Sequence, residues 1–562
     1  MAATINSPAT LPWVEGLTIG RVLRATAERF ADREAAVFSQ SDWRQSWAEF
    51  DTTVDRTARG LLALGIQPHE HVAVWATNLP QWVTLQFATA RIGAVLVNIN
   101  PAYRPFELEY VLAQSDAVAL MLTDRFKSSD YFQMLSGICP ELATAEAGHI
   151  GSARFPKLRH VVALRGEAPP GVSTWQALLD AGESVESERL DEIDASLRPT
   201  DVVNIQYTSG TTGFPKAAML SHRNLLLNAY YIGQCQRLSE HDRICIPVPF
   251  YHCFGCVLGT LACAVYGAAM VVPAEHFQPT ATLDAIERER ATAIYGVPTM
   301  FIAELEDASF AGRDLSSLRT GIMAGSPCPI EIMRKVIDRM GAREITIAYG
   351  QTEASPVVTQ TRTDDPLELR VETVGRPLPG VEVKIVDPAS GATLDDNQQG
   401  ELCSRGHVVM QGYYNDAEAT AATIDRDGWL HSGDLALRLP NGYYRITGRI
   451  KDMVIRGGEN IYPREIEEFL FTHPAVEQSA VCGVPDPKYV EELCAWVKLK
   501  ENASVTEQAL RDFCRANLAH YKVPRYIRFV DSFPQTVTGK IQKFKIREQM
   551  IADLGLCEHE TA

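Results

Sequence analysis

The sequence predicts a multidomain protein of mixed α/β and α+β class: a large N-terminal part ending in a β-rich subdomain, then a small α+β C-terminal domain. Three observations predict it. The chain has 562 residues, room for about three or four domain-sized units. Apolar runs of strand length alternate with helix-like segments through most of it. After about Pro377 glycine and proline become frequent and the apolar period falls to two.

In chain order, Val72–Trp75, Ala94–Ile99 and Ala117–Leu122 are apolar runs that fit buried strands. A helix is expected over Pro105–Ala113, between the second and third. Val161–Leu164 and Val271–Val272 continue the pattern, and the polar stretch 183–199 reads as a surface connection. No residue is charged from Cys253 to Pro273, a length that could span a bilayer. Pro247 and Pro249 precede that run, Gly255, Gly259 and Gly267 interrupt it, and no basic cluster flanks it. A buried helix and strand are the expectation. Val381, Val383 and Ile385 alternate with Glu382 and Lys384, the mark of a half-exposed strand. The β-rich subdomain is placed at about 377–448, and the domains at 1–450 and 451–562. In the latter, Pro463 opens a helix burying Ile466, Phe469 and Leu470. Ser504 with Glu507 forms a capping-box pattern before a helix carrying Leu510, Phe513 and Leu518.

Hydrophobic residues make up 46% and charged residues 22% of the chain, as in soluble globular proteins. A net charge of -17 argues against non-specific nucleic-acid binding, so a polyanionic ligand must be met by local cations. The 12 cysteines are scattered, and Cys253-Phe254-Gly255-Cys256, the single CxxC, has no second pair to complete a zinc site. They read as buried apolar residues of a reducing compartment. The start, Met1-Ala2-Ala3-Thr4-Ile5-Asn6, has no basic region followed by an apolar run. A cytoplasmic protein without a transmembrane segment is expected.

The chemistry concentrates in Tyr207-Thr208-Ser209-Gly210-Thr211-Thr212-Gly213-Phe214-Pro215-Lys216. Glycines let backbone N–H groups approach an oxyanion, the hydroxyls add donors, and Lys216 adds a charge for β- and γ-phosphates. Phe214 and Pro215 separate the last glycine from the lysine, so this is not a Walker loop. Near the other end, Lys540 follows Thr538-Gly539 as a cation on a flexible tip.

With Tyr349-Gly350-Gln351-Thr352-Glu353, Ser432-Gly433-Asp434 and Gly448-Arg449-Ile450-Lys451-Asp452, these segments stand in a familiar order. From about residue 20 to 550 the chain resembles the adenylate-forming superfamily of acyl-CoA synthetases, carrier-loading adenylation domains and luciferases. The resemblance implies a large part of two α/β subdomains and a β-rich one, with a small C-terminal domain that rotates. It implies ATP and Mg²⁺ as cofactors and CoA as co-substrate. ATP would be held by Thr208, Ser209, Gly210, Thr211, Thr212, Gly213, Lys216, Gly325, Ser326, Tyr349 (stacked on adenine), Gln351, Thr352, Asp434 (on the ribose), Arg449 and Lys540. Thr208 and Glu353 would bind Mg²⁺, and Lys540, Thr208 and Glu353 would be catalytic.

Lys451 corresponds to the family's hinge, and Gly457, Gly458 and Glu459 to the loop that lines the CoA thiol tunnel. Arg456, Arg464, Lys488, Lys522 and Arg525 are candidates for CoA's phosphates. The acyl pocket would be lined by His252, Phe254, Val297, Gly325, Gly350 and Val358, with the run from Val248, Met300 and Ala324 beside them. Short-chain relatives carry tryptophan at the position of Gly350, so a deeper slot and a medium-chain fatty acid are expected. A branched, cyclic or aryl acid, and loading of a separate carrier protein, are the alternatives. The partners are small molecules, with a homodimer possible.

Overall fold

The computed structural model describes residues 11–41, 43–145, 149–208, 215–326, 328–456, 459–536 and 540–556. The chain divides into two compact units. One comprises Met1–Arg370, Pro377–Glu382 and Ser404–Leu430, the other Val371–Arg376, Val383–Cys403 and His431–Ala562.

The first unit is built on two sheets. In one, the strands run in the order Lys216–Ser221, Val202–Thr208, Val95–Asn98, His71–Trp75, Ala117–Leu122, His160–Ala163 and Ser173–Thr174. All neighbours are parallel except the first pair. The continuous apolar runs read from the sequence are these central strands, buried on both faces. The second sheet has a parallel middle of Glu344–Gly350, Thr320–Ala324, Ala293–Gly296, Arg243–Cys245 and Ala269–Val272. Thr208, Ala324 and Gly350 all end strands at their carboxyl ends, where open α/β sheets present ligand-binding loops.

The uncharged run becomes a π-helical turn Phe254–Leu261, a helix Ala262–Tyr266 and the strand Ala269–Val272, nearly all buried. No helix among the described residues is long and apolar enough to cross a membrane. The stretch 183–199 is more ordered than its polarity suggested. A helix Glu188–Ser196 buries Leu190 and Ile193, three residues apart on one face, while Glu188, Asp191 and Glu192 face outward and Asp194 pairs with Arg21.

The second unit carries most of a four-stranded sheet, ordered Val381–Val386, Gly400–Gly406, Leu430–Arg438 and Tyr444–Arg449. It also holds a sheet in which Val490–Leu499 pairs with Val454–Arg456, Val476–Asp486 and Tyr526–Phe529. The helix Pro463–Phe471 starts at its proline and buries Ile466 and Leu470. The next helix, Glu507–Asn517, is capped by Thr506 rather than Ser504. Thr506 has the extended backbone that puts its hydroxyl 3.1 Å from the Ala509 N–H, and Leu518 ends the helix as its C-cap.

Val490 opens its strand at φ +74, in the left-handed region, and is 52% exposed. A β-branched residue there costs about 1–2 kcal/mol, and little packing is lost by removing it. Val490→Gly is therefore expected to stabilise the fold by about 0.5–1 kcal/mol after the entropy glycine adds to the unfolded chain. A urea midpoint no higher than that of the parent would contradict this.

Candidate active site

Thr208 and Lys216 face each other as the last pair of an antiparallel hairpin. Ser209, Gly210, Thr211, Thr212 and Gly213 lie outside the described residues. The Thr208 hydroxyl donates to Glu353 Oε1 at 3.1 Å, and Tyr413 Oη donates to the same oxygen at 2.8 Å. Burial, then the Glu353 charge, pushes the Tyr413 phenol well above its ordinary range, so it stays a donor. Lys216 Nζ lies 5.3 Å from the centre of the Tyr413 ring, a cation–π arrangement. Glu353 sits on a short turn, Thr352–Ala354, and the Met410 N–H donates to its carbonyl at 2.9 Å. A carboxylate and a hydroxyl 3.1 Å apart, both hard oxygen donors, suit Mg²⁺.

Tyr349 and Gly350 close the strand Glu344–Gly350, and the Gln351 N–H donates to the Pro356 carbonyl at 2.9 Å. A Cβ on Gly350 would lie 1.8 Å from that same carbonyl oxygen. Glycine is required here by the approach of two backbones, whatever it does for pocket depth. Gly350→Ala is expected to cost at least about 1–3 kcal/mol, as overpacking does, read as a lower thermal midpoint.

Gly325 (φ +88) follows Ala324, and a Cβ there would touch Val297 Cγ1 at 3.1 Å, so two residues assigned to the acyl pocket adjoin. Phe254 stacks on Tyr295 at 5.9 Å, and Val297 and Val358 are buried. His252 Nδ1 accepts the Phe254 N–H at 3.2 Å, and Cys253 Sγ lies 3.8 Å from Thr352 Oγ1. The segment around His252 thus abuts the turn that carries Glu353. Burial pushes the Cys253 thiol up to about 12, which leaves it unreactive.

In the second unit, Asp434 is 4% exposed, and its Oδ1 accepts from Arg449 Nε at 2.9 Å across paired strands. Lys540 stands at a hairpin end, its N–H donating to Thr536 Oγ1 at 3.0 Å and Gln535 bridging to Ile541. The residue keeps an exposed surface. Desolvation, then the like charges of Arg449 and Lys451, pulls Lys540 down to about 8, with Asp434 and Asp452 opposing. Solvent at the exposed surface moderates the first effect. Lys451, in the turn Ile450–Asp452, is lowered by burial and by Arg449. Three cations therefore converge on two carboxylates, a field suited to an anion.

Gly457 and Gly458 lie outside the described residues. Glu459 begins the strand Glu459–Ile461. Arg456 pairs with Glu492, Arg464 with Glu468, Lys522 with Glu465 and Arg525 with Asp486. Lys488 lies over the Tyr489 ring at 4.8 Å. Sequence reasoning misses Tyr413, since neither tyrosine of Gly412-Tyr413-Tyr414-Asn415 has a period or spacing to mark it.

The chain has known relatives. Residues 23–414 match the AMP-binding enzyme family, and residues 465–540 match the AMP-binding enzyme C-terminal domain. YngI of Bacillus subtilis, which bears an acyl-CoA synthetase name, is 52% identical over 96% of this chain and 98% of its own. The Danio rerio mitochondrial medium-chain acyl-CoA ligase ACSF2 is 44% identical over 99% of this chain and 94% of its own. An anthranilate CoA ligase solved with anthranoyl-AMP superposes with TM-score 0.83 at 26% identity, covering 96% of this chain and 98% of its own. The chain belongs to the AMP-binding enzyme family.

Proposed function

We propose that the enzyme joins a medium-chain fatty acid to CoA in two half-reactions. In the first, an acid's carboxylate, already ionised at neutral pH, attacks the α-phosphorus of ATP. The bond from the α-phosphorus to the α,β-bridging oxygen breaks, pyrophosphate leaves with that oxygen, and acyl-AMP remains. In the second, the CoA thiol attacks the acyl carbonyl, its proton goes to solvent, and AMP leaves. No cysteine of the chain is needed, in keeping with the burial of every described cysteine but Cys328. Those thiols also support a reducing, cytoplasmic setting.

The chain's own groups have separate tasks. Lys216 and the phosphate loop hold the triphosphate, and Tyr349 packs on adenine. Asp434 accepts from the ribose hydroxyls. Thr208 and Glu353 would hold Mg²⁺, which when bound supplies charge neutralisation at the phosphates. Lys540 stabilises charge on the α-phosphate oxygens without transferring a proton. For the second half-reaction it withdraws by rotation about Lys451, and Gly457-Gly458 line the path of the thiol.

The observation that carries this reading is Lys540 gathered with Arg449 beside Asp434. The test is pyrophosphate release from ATP with straight-chain acids of increasing length, and CoA thioester detected by mass. Each CH₂ that finds a buried place adds about 0.8 kcal/mol, so kcat/KM should climb with length and plateau in the medium range. Activity that peaks at acetate, or thioester formed only with a carrier protein, would overturn it.

A further inference from the structure

We infer that Glu401 is a positioning residue for Asp434, fixing the Ser432-Gly433-Asp434 bend in the shape that meets the nucleotide ribose; this rests on the ribose reading of Asp434. Glu401 lies on the strand Gly400–Gly406, beside the strand Leu430–Arg438. Its side chain is 12% exposed. Oε1 accepts the Gly433 N–H at 2.9 Å, and Oε2 lies 2.8 Å from His431 Nδ1. One carboxylate therefore grips the bend at two points, on either side of Ser432.

The bend needs such a grip. Gly433 has φ +69, outside strand geometry, and the paired ladder with Tyr444–Arg449 begins only at Asp434. The Asp434 N–H is held by Ser432 Oγ at 3.0 Å. Asp434 Oδ1 then reaches Arg449 Nε at 2.9 Å. Cys403 Sγ lies 3.4 Å from the same His431 Nδ1. The donor atoms of Glu401, Cys403 and His431 lie within 4.8 Å of one another, as metal ligands would. Here they bond to each other and to Gly433, so the cluster works as a clamp. A charge-assisted acceptor on this half-buried N–H is worth more than a neutral one.

The test compares kcat/KM for ATP and for 2′- and 3′-deoxyATP in pyrophosphate release. The parent should prefer ATP, and D434A should lose most of that preference. Glu401→Ala should lower the preference on the order of tenfold, the worth of one charge-assisted hydrogen bond. The isosteric Glu401→Gln should lower it about threefold, because its amide carbonyl still accepts from Gly433. A general loss of structure would reduce both nucleotides alike. An unchanged preference in Glu401→Gln and Glu401→Ala, or in Glu401→Gln alone if alanine prevents folding, overturns the inference. If D434A itself keeps the preference, the ribose reading is what fails.

Discussion

Lys540→Ala is expected to slow acyl-adenylate formation by a factor on the order of 10²–10³, the effect of removing one preorganised donor from a developing oxyanion. Thioester formation from supplied acyl-adenylate should be nearly unchanged, because Lys540 acts in one half-reaction only. The pH profile gives a second check. The ammonium is lowered from 10.5 toward about 8 in the free enzyme. It is charged below that value and neutral above it, so kcat/KM for ATP should fall as pH rises through a limb between about 8 and the ordinary lysine range. Bound phosphates favour the charged form, and kcat should therefore hold to higher pH than kcat/KM. Lys540→Arg should move the limb out of reach while keeping some activity. Equal loss in both half-reactions would refute an alternating lysine.

Much of the fold was legible because burial on both faces leaves continuous apolar runs, as in Val72–Trp75 and Ala117–Leu122. The Thr208–Lys216 run and the Asp434, Arg449 and Lys540 segments carry a signal in the sequence because each groups, within a few positions, residue types tied to one chemistry. What stayed hidden depends on distance along the chain. Tyr413 meets Glu353 across 60 positions, and Glu401 meets Gly433 across 32. Neither contact leaves a local period. The helix Glu188–Ser196 was masked because only Leu190 and Ile193 of its nine residues are buried. From the sequence Gly350 reads as an opened pocket wall. The close approach of the Pro356 carbonyl, which would leave a Cβ on Gly350 only 1.8 Å away, is a demand of the folded backbone, and nothing in the local sequence announces it.

The same reasoning sets the expectation for Glu353→Gln. The amide is isosteric, and its carbonyl can still accept from Thr208 and Tyr413, so the thermal midpoint should hardly move. What is lost is the negative charge. A hard divalent cation prefers a carboxylate to an amide, so the Mg²⁺ concentration for half-maximal adenylation should rise and the rate at saturation should fall on the order of 10²-fold. Tyr413→Phe removes only one donor, at 2.8 Å, and should cost about tenfold. Because both act through the same carboxylate oxygen, the double variant should be well short of multiplicative. Additive losses would mean that Tyr413 does not work through Glu353. An unaltered Mg²⁺ requirement in Glu353→Gln would remove Glu353 from the metal site, leaving its bonds to Thr208 and Tyr413 as a purely structural brace between the phosphate loop and the turn at 352–354.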